Sequence, residues 1–174
     1  AYACVSPDGR TFASQIVLTR LTHAQRTGLR RMTDNVRKAG GAMSIQLTHA
    51  GGVANRAVIG CRQGAPSPAF SPANLNWSRA LTEDDLDAID AAFAASAKVA
   101  VRELGFDAIE LHCGHGYLLS QFLSPARNAR ADRWGGDPVP SAHDPTVFVE
   151  TLGSGPTGPG ALATLAKGAG LGMA

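Results

Sequence analysis

The feature that most constrains this chain is an alternation between short apolar runs and longer amphipathic stretches. The apolar runs stand at residues 1–5, 42–47 and 106–111, and helical periodicity occupies much of the intervals between them. Strands alternating with helices are typical of a parallel sheet with right-handed crossovers. The sequence therefore predicts either part of a (β/α) barrel or an open doubly wound sheet. In both architectures, ligands bind at the carboxyl ends of the strands.

Two helices are predicted between these runs. The first begins after Thr22 and ends at the glycine pair 40–41, a pattern of start and stop signals. The second begins after Thr82, has acidic residues at 83–85 where the helix dipole favours them, and ends at Gly105. The apolar positions that recur at helical spacing are Leu29, Met32, Val36 and Ala39 in the first helix and Leu86, Ile89, Phe93, Ala97, Ala100 and Leu104 in the second.

Residues 50–80 separate the second apolar run from the second helix and show no periodicity. They are punctuated by Gly, Pro, Asn and Ser, and an irregular connection of this length in a compact domain is typical of a functional lid. Residues 137–174 are rich in Gly, Pro, Ala and Ser, a composition that favours disorder. We therefore divide the chain into a folded part at residues 1–136 and a poorly ordered tail at residues 137–174.

Composition excludes several classes of function. The net charge of the 174 residues is +2 and 17% of them are charged, so neither nucleic acid nor a membrane surface is favoured as a partner. No apolar stretch is long enough to span a bilayer, and the N-terminus lacks the order of a signal peptide. Cys4, Cys61 and Cys113 have no paired spacing, which suits a reducing compartment. These features predict a cytoplasmic protein.

A polar cluster follows the third apolar run, in the sequence HCGHGY. His112 and His115 stand three residues apart, and Tyr117 follows two residues later. Gln46 and His49 hold the equivalent place at the end of the second run, so these residues, with Cys113, are all predicted at carboxyl ends of strands. Two imidazoles can both donate to one oxygen while a nearby phenol delivers a proton. The pattern predicts a site that polarises a carbonyl and protonates the neighbouring carbon.

Other interpretations of these residues stay open. His112, Cys113 and His115 are ligand types for zinc, although further ligands at standard spacing are missing. Alternatively, His112 caps the strand and Tyr117 packs in the core. Gln46 either satisfies loop backbone or binds the edge of a planar ring.

Two further sets of residues are predicted to be structural. Trp77 and Trp134 are more typical of packing than of a binding site. Asn128, Arg130 and Asp132 follow a short helical pattern, and a guanidinium and a carboxylate two residues apart are expected to fix the turn there.

Three segments of the chain resemble those of one family. GFDAIELHCGHGYLLSQFLSPARNARADRWGG at residues 105–136 resembles the signature of the old yellow enzyme family, the FMN-dependent ene-reductases also called NADH:flavin oxidoreductases. MSIQLTHAGG at residues 43–52 and VSPDGR at residues 5–10 are similar to two further family segments in the same order. The resemblance covers residues 1–136.

The resemblance implies a TIM (β/α)8 barrel with FMN at the carboxyl ends of its strands. In that family a hydride passes from NAD(P)H to the flavin and then from flavin N5 to the β-carbon of an activated alkene, such as an enone. By matching position, Gln46 would contact the isoalloxazine ring, and His112 and His115 would hold the substrate carbonyl oxygen. His112 would also lie against the cofactor, and Tyr117 would donate the proton. The partners implied are small molecules.

The sequence also departs from the family pattern. A complete barrel needs about 250 residues, whereas only about three strand–helix units are found here. The resemblance places a first strand upstream, and the family's flavin-proximal arginine and phosphate-binding loops have no counterpart after residue 136. We therefore expect a fragment whose tail reflects a truncated gene or a shifted reading frame. Such a fragment is expected to self-associate through exposed barrel edges. The alternative is a non-catalytic barrel fragment without bound flavin.

Overall fold

A three-stranded parallel sheet covered by helices forms the centre of the molecule. The computed structural model describes residues 1–72, 74–132 and 134–135. In chain order, the elements are β1 (Tyr2–Cys4), α1 (His23–Lys38), β2 (Ser44–Thr48), α2 (Arg56–Ile59), β3 (Gly64–Ala65), β4 (Phe70–Ser71), β5 (Asn76–Trp77), β6 (Arg79–Ala80), α3 (Glu83–Lys98), β7 (Ala108–Leu111) and α4 (Leu118–Phe122).

The order of the main sheet is β1-β2-β7, and both pairings are parallel. Helix α1 connects β1 to β2, and α3 lies between β2 and β7. The predicted strand–helix–strand order and the parallel sheet are therefore confirmed. These three strand–helix units are the part of a barrel that the sequence predicts.

The register of the sheet separates an apolar face from a polar one. Side chains of Ile45 and Leu47 on β2 are almost fully buried and join a core that includes Ala97 and Leu104 from the second helical segment. On the opposite face, Gln46 is aligned with Tyr2 on β1 and with Glu110 on β7. Because successive residues of a strand point to opposite faces, one face carries the core and the other carries an exposed polar row.

The two long helices begin where the sequence predicts. The Thr22 side chain accepts a hydrogen bond from the backbone N–H of Gln25, and the Gln25 side chain accepts one from the backbone N–H of Thr22. Thr82 and Asp85 form the same reciprocal capping box at the start of α3. These caps satisfy backbone donors that a helix start leaves unpaired. Helix α3 continues as a π-helical turn at Val99–Glu103, and the chain reverses at Gly105 with φ 74°.

Residues 50–80 are more ordered than a single irregular loop. They contain a short helix, α2, and four two-residue strands that pair as β3 with β6 and β4 with β5. Strands of only two residues are too short to leave a period-two pattern in the sequence. Trp77 on β5 packs edge-on against Phe70, as a packing residue is expected to do, but it is 54% exposed and lies outside the core.

The turn after α4 is fixed as predicted. Asn128 donates to the carbonyls of Phe122 and Trp134, and Trp134 is buried. Arg130 bonds Asp132 and also donates to the carbonyl of Leu81 at 2.6 Å. This turn therefore ties α4 to the segment that precedes α3.

Two further predictions concern the tail and a membrane span. The predicted tail at residues 137–174 lies outside the described residues. In the part of the chain that is described, no helix combines the length and the apolar character that crossing a bilayer requires.

Candidate active site

The site is built on the carboxyl ends of β2 and β7. The backbone N–H of His112 donates to the carbonyl of Leu47 at 3.0 Å, which extends the pairing of the two strands by one residue. The N–H of Leu118 donates to the carbonyl of His49 at 3.0 Å, which fixes the start of α4 against the end of β2. Residues 112–118 are thereby held as a short loop over the end of the sheet.

This loop brings His112, His115 and Tyr117 together, as the sequence predicts. Nδ1 of His115 lies 3.2 Å from Nε2 of His112. The ring of Tyr117 meets the ring of His112 edge-on, with centroids 4.6 Å apart and planes at 88°. His115 has φ 55°, a left-handed conformation that is uncommon for a residue other than glycine. The turn of the loop thus brings the second imidazole back towards the first.

Burial favours the neutral form of His112. It lowers the pKa of His112 below the ordinary value, and nearby His115 acts in the same direction, while Glu110 opposes them. A neutral imidazole carries one N–H donor and one acceptor nitrogen. His112 is therefore equipped to donate a hydrogen bond at neutral pH without carrying a charge.

Gln46 lies on the polar face of the sheet, one strand from this cluster. Its Nε2 donates to Oε1 of Glu110 at 2.6 Å. Sequence reasoning missed Glu110, although its place two residues before His112 in an alternating strand puts it on the same face. Glu110 orients the Gln46 amide, while the second N–H and the carbonyl oxygen of that amide form no hydrogen bond among the described residues.

Tyr2 is a second residue of this face that sequence reasoning missed. Its hydroxyl accepts a hydrogen bond of 2.9 Å from Nε2 of buried Gln15, and Oε1 of Gln15 accepts from the backbone of Thr11 at 2.8 Å. Burial, followed by the neighbouring Tyr117 hydroxyl, raises the pKa of Tyr2. Tyr2 as a residue is 37% exposed, and the bond from Gln15 fixes the position of its hydroxyl. Both tyrosines of the chain therefore lie at the site.

His49 is at the strand end as predicted, but it faces the interior. Its Nδ1 accepts from the backbone of Gly51 at 3.0 Å, which assigns the ring proton to Nε2. Nε2 lies 3.6 Å from Oδ2 of Asp8, a distance for electrostatic attraction rather than a hydrogen bond. Gly9 approaches so closely that a Cβ there would be 2.6 Å from the His49 ring. His49 therefore locks the VSPDGR turn onto β2.

The zinc interpretation finds no support in the described part of the chain. No group of three or more His, Cys, Asp or Glu side chains there has the arrangement to hold a metal ion. Cys113 is exposed on the loop between the two histidines.

The chain belongs to the NADH:flavin oxidoreductase / NADH oxidase family. The family model matches residues 1–140, which covers all of the described elements. The resemblance inferred from the three sequence segments is thereby confirmed.

Curated relatives carry names that agree with this membership. The chain is 40% identical over 152 residues to a 4,4'-dithiodibutanoate disulfide reductase of Rhodococcus erythropolis, covering 87% of this chain and 37% of the relative. It is 38% identical over 136 residues to an NADPH dehydrogenase of Clostridium acetobutylicum, covering 76% of this chain and 38% of the relative. The chain therefore spans less than two-fifths of the length of these relatives.

Solved structures show the same fold. The old yellow enzyme homologue of Zymomonas mobilis matches with a TM-score of 0.77 and 23% identity over 95% of this chain and 46% of that one. Morphinone reductase in complex with tetrahydroNAD matches with a TM-score of 0.71 and 27% identity over 87% of this chain and 46% of that one. The sheet described above is thus an incomplete TIM barrel of the old yellow enzyme type.

Proposed function

We propose that this chain carries the flavin-facing part of an FMN-dependent oxidoreductase, which passes hydride from NAD(P)H to an activated alkene of the enone type. The observation that carries the proposal is the contact of His112 with His115 beside Tyr117, at the carboxyl ends of parallel strands. In the proposed reaction, the alkene gains a hydride and a proton, and NAD(P)H is oxidised to NAD(P)+.

The polar face of the sheet suits the edge of a flavin ring. An isoalloxazine edge presents carbonyl and ring-nitrogen acceptors beside one N–H donor. Among the described residues, no group pairs with the second N–H or with the carbonyl oxygen of the Gln46 amide, and the bond to Glu110 holds the amide plane. We propose that Gln46 holds the ring and that His112 lies against it. FMN, when bound, supplies the chemistry of a two-electron carrier between nicotinamide and substrate.

The histidine pair is proposed to hold the substrate carbonyl oxygen. In the structure these two nitrogens lie 3.2 Å apart and contact each other; in the proposed complex, a substrate oxygen replaces that contact and accepts an N–H from each imidazole. These donors stabilise the negative charge that builds on the oxygen as hydride arrives at the β-carbon. Removing one such donor typically costs about 3 kcal/mol of transition-state stabilisation. Because the pKa of His112 is lowered, its imidazole donates this hydrogen bond in the neutral form near neutral pH.

Tyr117 is the proposed proton donor to the α-carbon. Its ring stands edge-on to His112 at 4.6 Å between centroids, which keeps the phenol next to the oxygen-binding pair. General acids within hydrogen-bond reach of their target typically contribute 10²–10⁴ in rate. The arrangement places an electrophilic pair and an acid side by side, as reduction of a carbon–carbon double bond requires.

The part of the barrel present here has a free edge, which bears on assembly. Among the described strands, β7 pairs only with β2, so its outer edge carries unpaired backbone groups. We propose that residues 1–136 form the partial flavin-binding barrel and that copies of the chain associate through such edges, because unpaired edges template further pairing. The alternative function is that of a barrel fragment that binds no flavin, and retention of FMN by the purified chain decides between the two.

Rapid-reaction kinetics of the two half-reactions test the proposed chemistry. With FMN and NADPH, the chain is expected to reduce 2-cyclohexenone, and Tyr117→Phe should slow that step by about 10²-fold while leaving flavin reduction by NADPH unchanged. Equal slowing of both half-reactions would remove Tyr117 from the donor role. Reduction of 4,4'-dithiodibutanoate without reduction of the enone would replace the alkene by a disulfide as the substrate class.

A further inference from the structure

A cavity of about 500 Å³ adjoins the histidine pair at His115. Its walls come from three parts of the chain that are far apart in sequence, namely residues 52–53, 65–78 and 115–127. His115 belongs both to this wall and to the contact with His112. The volume is within the range of small-molecule pockets, about 300–1,000 Å³. The cavity thus extends the candidate active site outward under residues 50–80.

One wall of the cavity is fixed by a buried glutamine. Oε1 of Gln121 accepts from the backbone of Gly52 at 3.1 Å, and its Nε2 donates to the carbonyls of Ala50 and Gly116. A Cβ on Gly51 would lie 2.8 Å from that same Oε1, so α4 and the residues after β2 meet without room to spare. The cavity is consequently bounded by a connected frame of hydrogen bonds rather than by loose side chains.

Some serine hydroxyls around the cavity donate to a protein carbonyl, and others have no protein acceptor among the described residues. Ser78 donates to the carbonyl of Ala69, and Ser120 donates to the carbonyl of Tyr117 at 2.8 Å. Ser71 instead only accepts, from Asn74. The hydroxyl protons of Ser78 and Ser120 are therefore taken, whereas that of Ser71 has no acceptor among the described residues.

Three more donors face the cavity without a protein acceptor. Ser67 accepts from the backbone of Ala129 and keeps its own proton, and Ser124 forms no side-chain hydrogen bond within the described part of the chain. The guanidinium of Arg127 forms neither a hydrogen bond nor an ion pair with any described residue. Among the described residues, the lining contains no aspartate or glutamate. These residues therefore offer several donors and the positive charge of Arg127, with no carboxylate from the described part of the chain beside them.

The remaining wall is apolar. Val53, Ala65, Phe70 and Pro72 line it, and they suit a hydrocarbon chain or ring rather than a hydrated ion. One guanidinium balances one unit of negative charge, and its planar fork matches the two oxygens of a carboxylate. An organic acid with an apolar body satisfies the apolar wall, the free hydroxyls and Arg127 at the same time.

We propose that this cavity is a binding subsite for the carboxylate end of an amphipathic organic acid, with Arg127 as its cation and Ser67, Ser71 and Ser124 as supporting donors. The proposal deepens the proposed function, because a ligand seated there reaches His115 with its other end. It assigns to that function a substrate class, namely alkenes that carry a carboxylate several carbons away from the reacting bond.

Binding of a matched acid and amide to the full 174-residue chain tests the proposal without flavin. The probes are 4-phenylbutanoate and 4-phenylbutanamide, followed by tryptophan fluorescence, because Trp77 packs against the cavity residue Phe70 at 5.9 Å between centroids. The acid is expected to bind about tenfold more tightly than the amide, as a charge-assisted hydrogen bond predicts. Equal affinities, or no binding of either probe, would overturn the proposal.

Two variants locate the effect. Arg127→Gln is expected to abolish the preference for the acid while leaving amide binding unchanged, and Ser124→Ala is expected to weaken acid binding about threefold. Arg31→Gln is the matched control, because Arg31 is an exposed arginine on α1 outside the cavity lining. An equal loss in Arg31→Gln would reduce the effect to net charge and overturn the subsite. Because no flavin is present, this result is independent of whether the chain binds FMN.

Discussion

The two faces of the central sheet differ in what they do for the molecule. On β2, Ile45 and Leu47 point into the core and are almost fully buried, whereas Gln46 between them lies in an open row with Tyr2 and Glu110. The apolar face is closed by helices of this chain. The polar face, by contrast, is lined by groups with unused hydrogen-bonding capacity.

This difference shows how one strand serves stability and binding at once. A period of two places neighbouring residues on opposite faces, so each face can be changed without directly touching the other. Burial of apolar area supplies most of the stability, while exposed polar groups contribute little to it. We therefore expect folding to depend on the apolar face of β2 and ligand binding to depend on its polar face.

The largest expected effect is on the apolar face. Leu47→Ala removes a fully buried side chain from the core and should lower the free energy of unfolding by about 2–5 kcal/mol. Its control is Gln46→Ala in the same strand, which should change stability by less than about 1 kcal/mol because a half-buried side chain with one partner is removed. Urea unfolding at neutral pH measures the free energy of unfolding of both variants. Equal decreases in the two variants would contradict the claim that only the apolar face supports folding.

A smaller effect is expected from the contact between Asp8 and His49 at the carboxyl end of β2. The contact with His49 holds the pKa of Asp8 well below its ordinary value of 3.8, in spite of partial burial. A depressed folded-state pKa gives stability that is present above that ordinary value and lost as the pH falls through the folded pKa. Because the Asp8 side chain is 50% exposed, solvent screening limits the gain to about 1 kcal/mol or less.

Asp8→Asn tests this contact through pH dependence. The variant should be slightly less stable than the wild type at pH 7. The difference should shrink as the pH falls below the ordinary pKa of the carboxyl and vanish below its lowered folded-state pKa. Urea unfolding at several pH values measures the difference. A gap of constant size from neutral pH into strong acid would show that the contact is not electrostatic.

The smallest expected effect is a shift in tyrosine ionisation on the polar face. The chain has two tyrosines, and the Tyr117 hydroxyl is among the causes that raise the pKa of Tyr2. Tyr117→Phe should therefore lower the pKa of Tyr2, yet leave it above 10.0 because burial is the larger cause.

Tyrosinate absorbance after a rapid pH jump follows this ionisation before alkaline unfolding interferes. A single unperturbed tyrosine in a short peptide provides the reference. If the Tyr2 midpoint in Tyr117→Phe equalled that of the peptide, neither the burial nor the pairing of the two phenols would be supported.

The regular elements of the fold could be predicted because their signals are local. Thr22 and Thr82 begin the two long helices with capping boxes, and residues 42–47 form an apolar run that contains most of β2. Helix caps and apolar runs involve residues that are close together in the sequence, so they can be recognised without the structure. The placement of His112, His115 and Tyr117 at one strand end followed in the same way from the alternation of strands and helices.

The remaining parts of the site depend on contacts between distant residues. Glu110 meets Gln46 across 64 positions of sequence, and the small sheets within residues 50–80 pair segments that carry no periodicity. The cavity joins Ser71 to Arg127, and neither residue has a pattern around it that indicates a ligand. The exposure of Trp77 likewise follows from this pairing, because β5 lies outside the core. The roles of Gln46, His112, His115 and Tyr117 in catalysis stay predictions.

The most direct test of the account is flavin retention by the purified 174-residue chain. After incubation with FMN and desalting, the wild type should keep the visible absorption bands of bound flavin, and Leu47→Ala should lose them only to the extent that it unfolds. Gln46→Ala, which is expected to fold normally, should lose much of the bound flavin. A colourless wild-type protein with an intact fold would contradict the claim that this face of the sheet holds the ring.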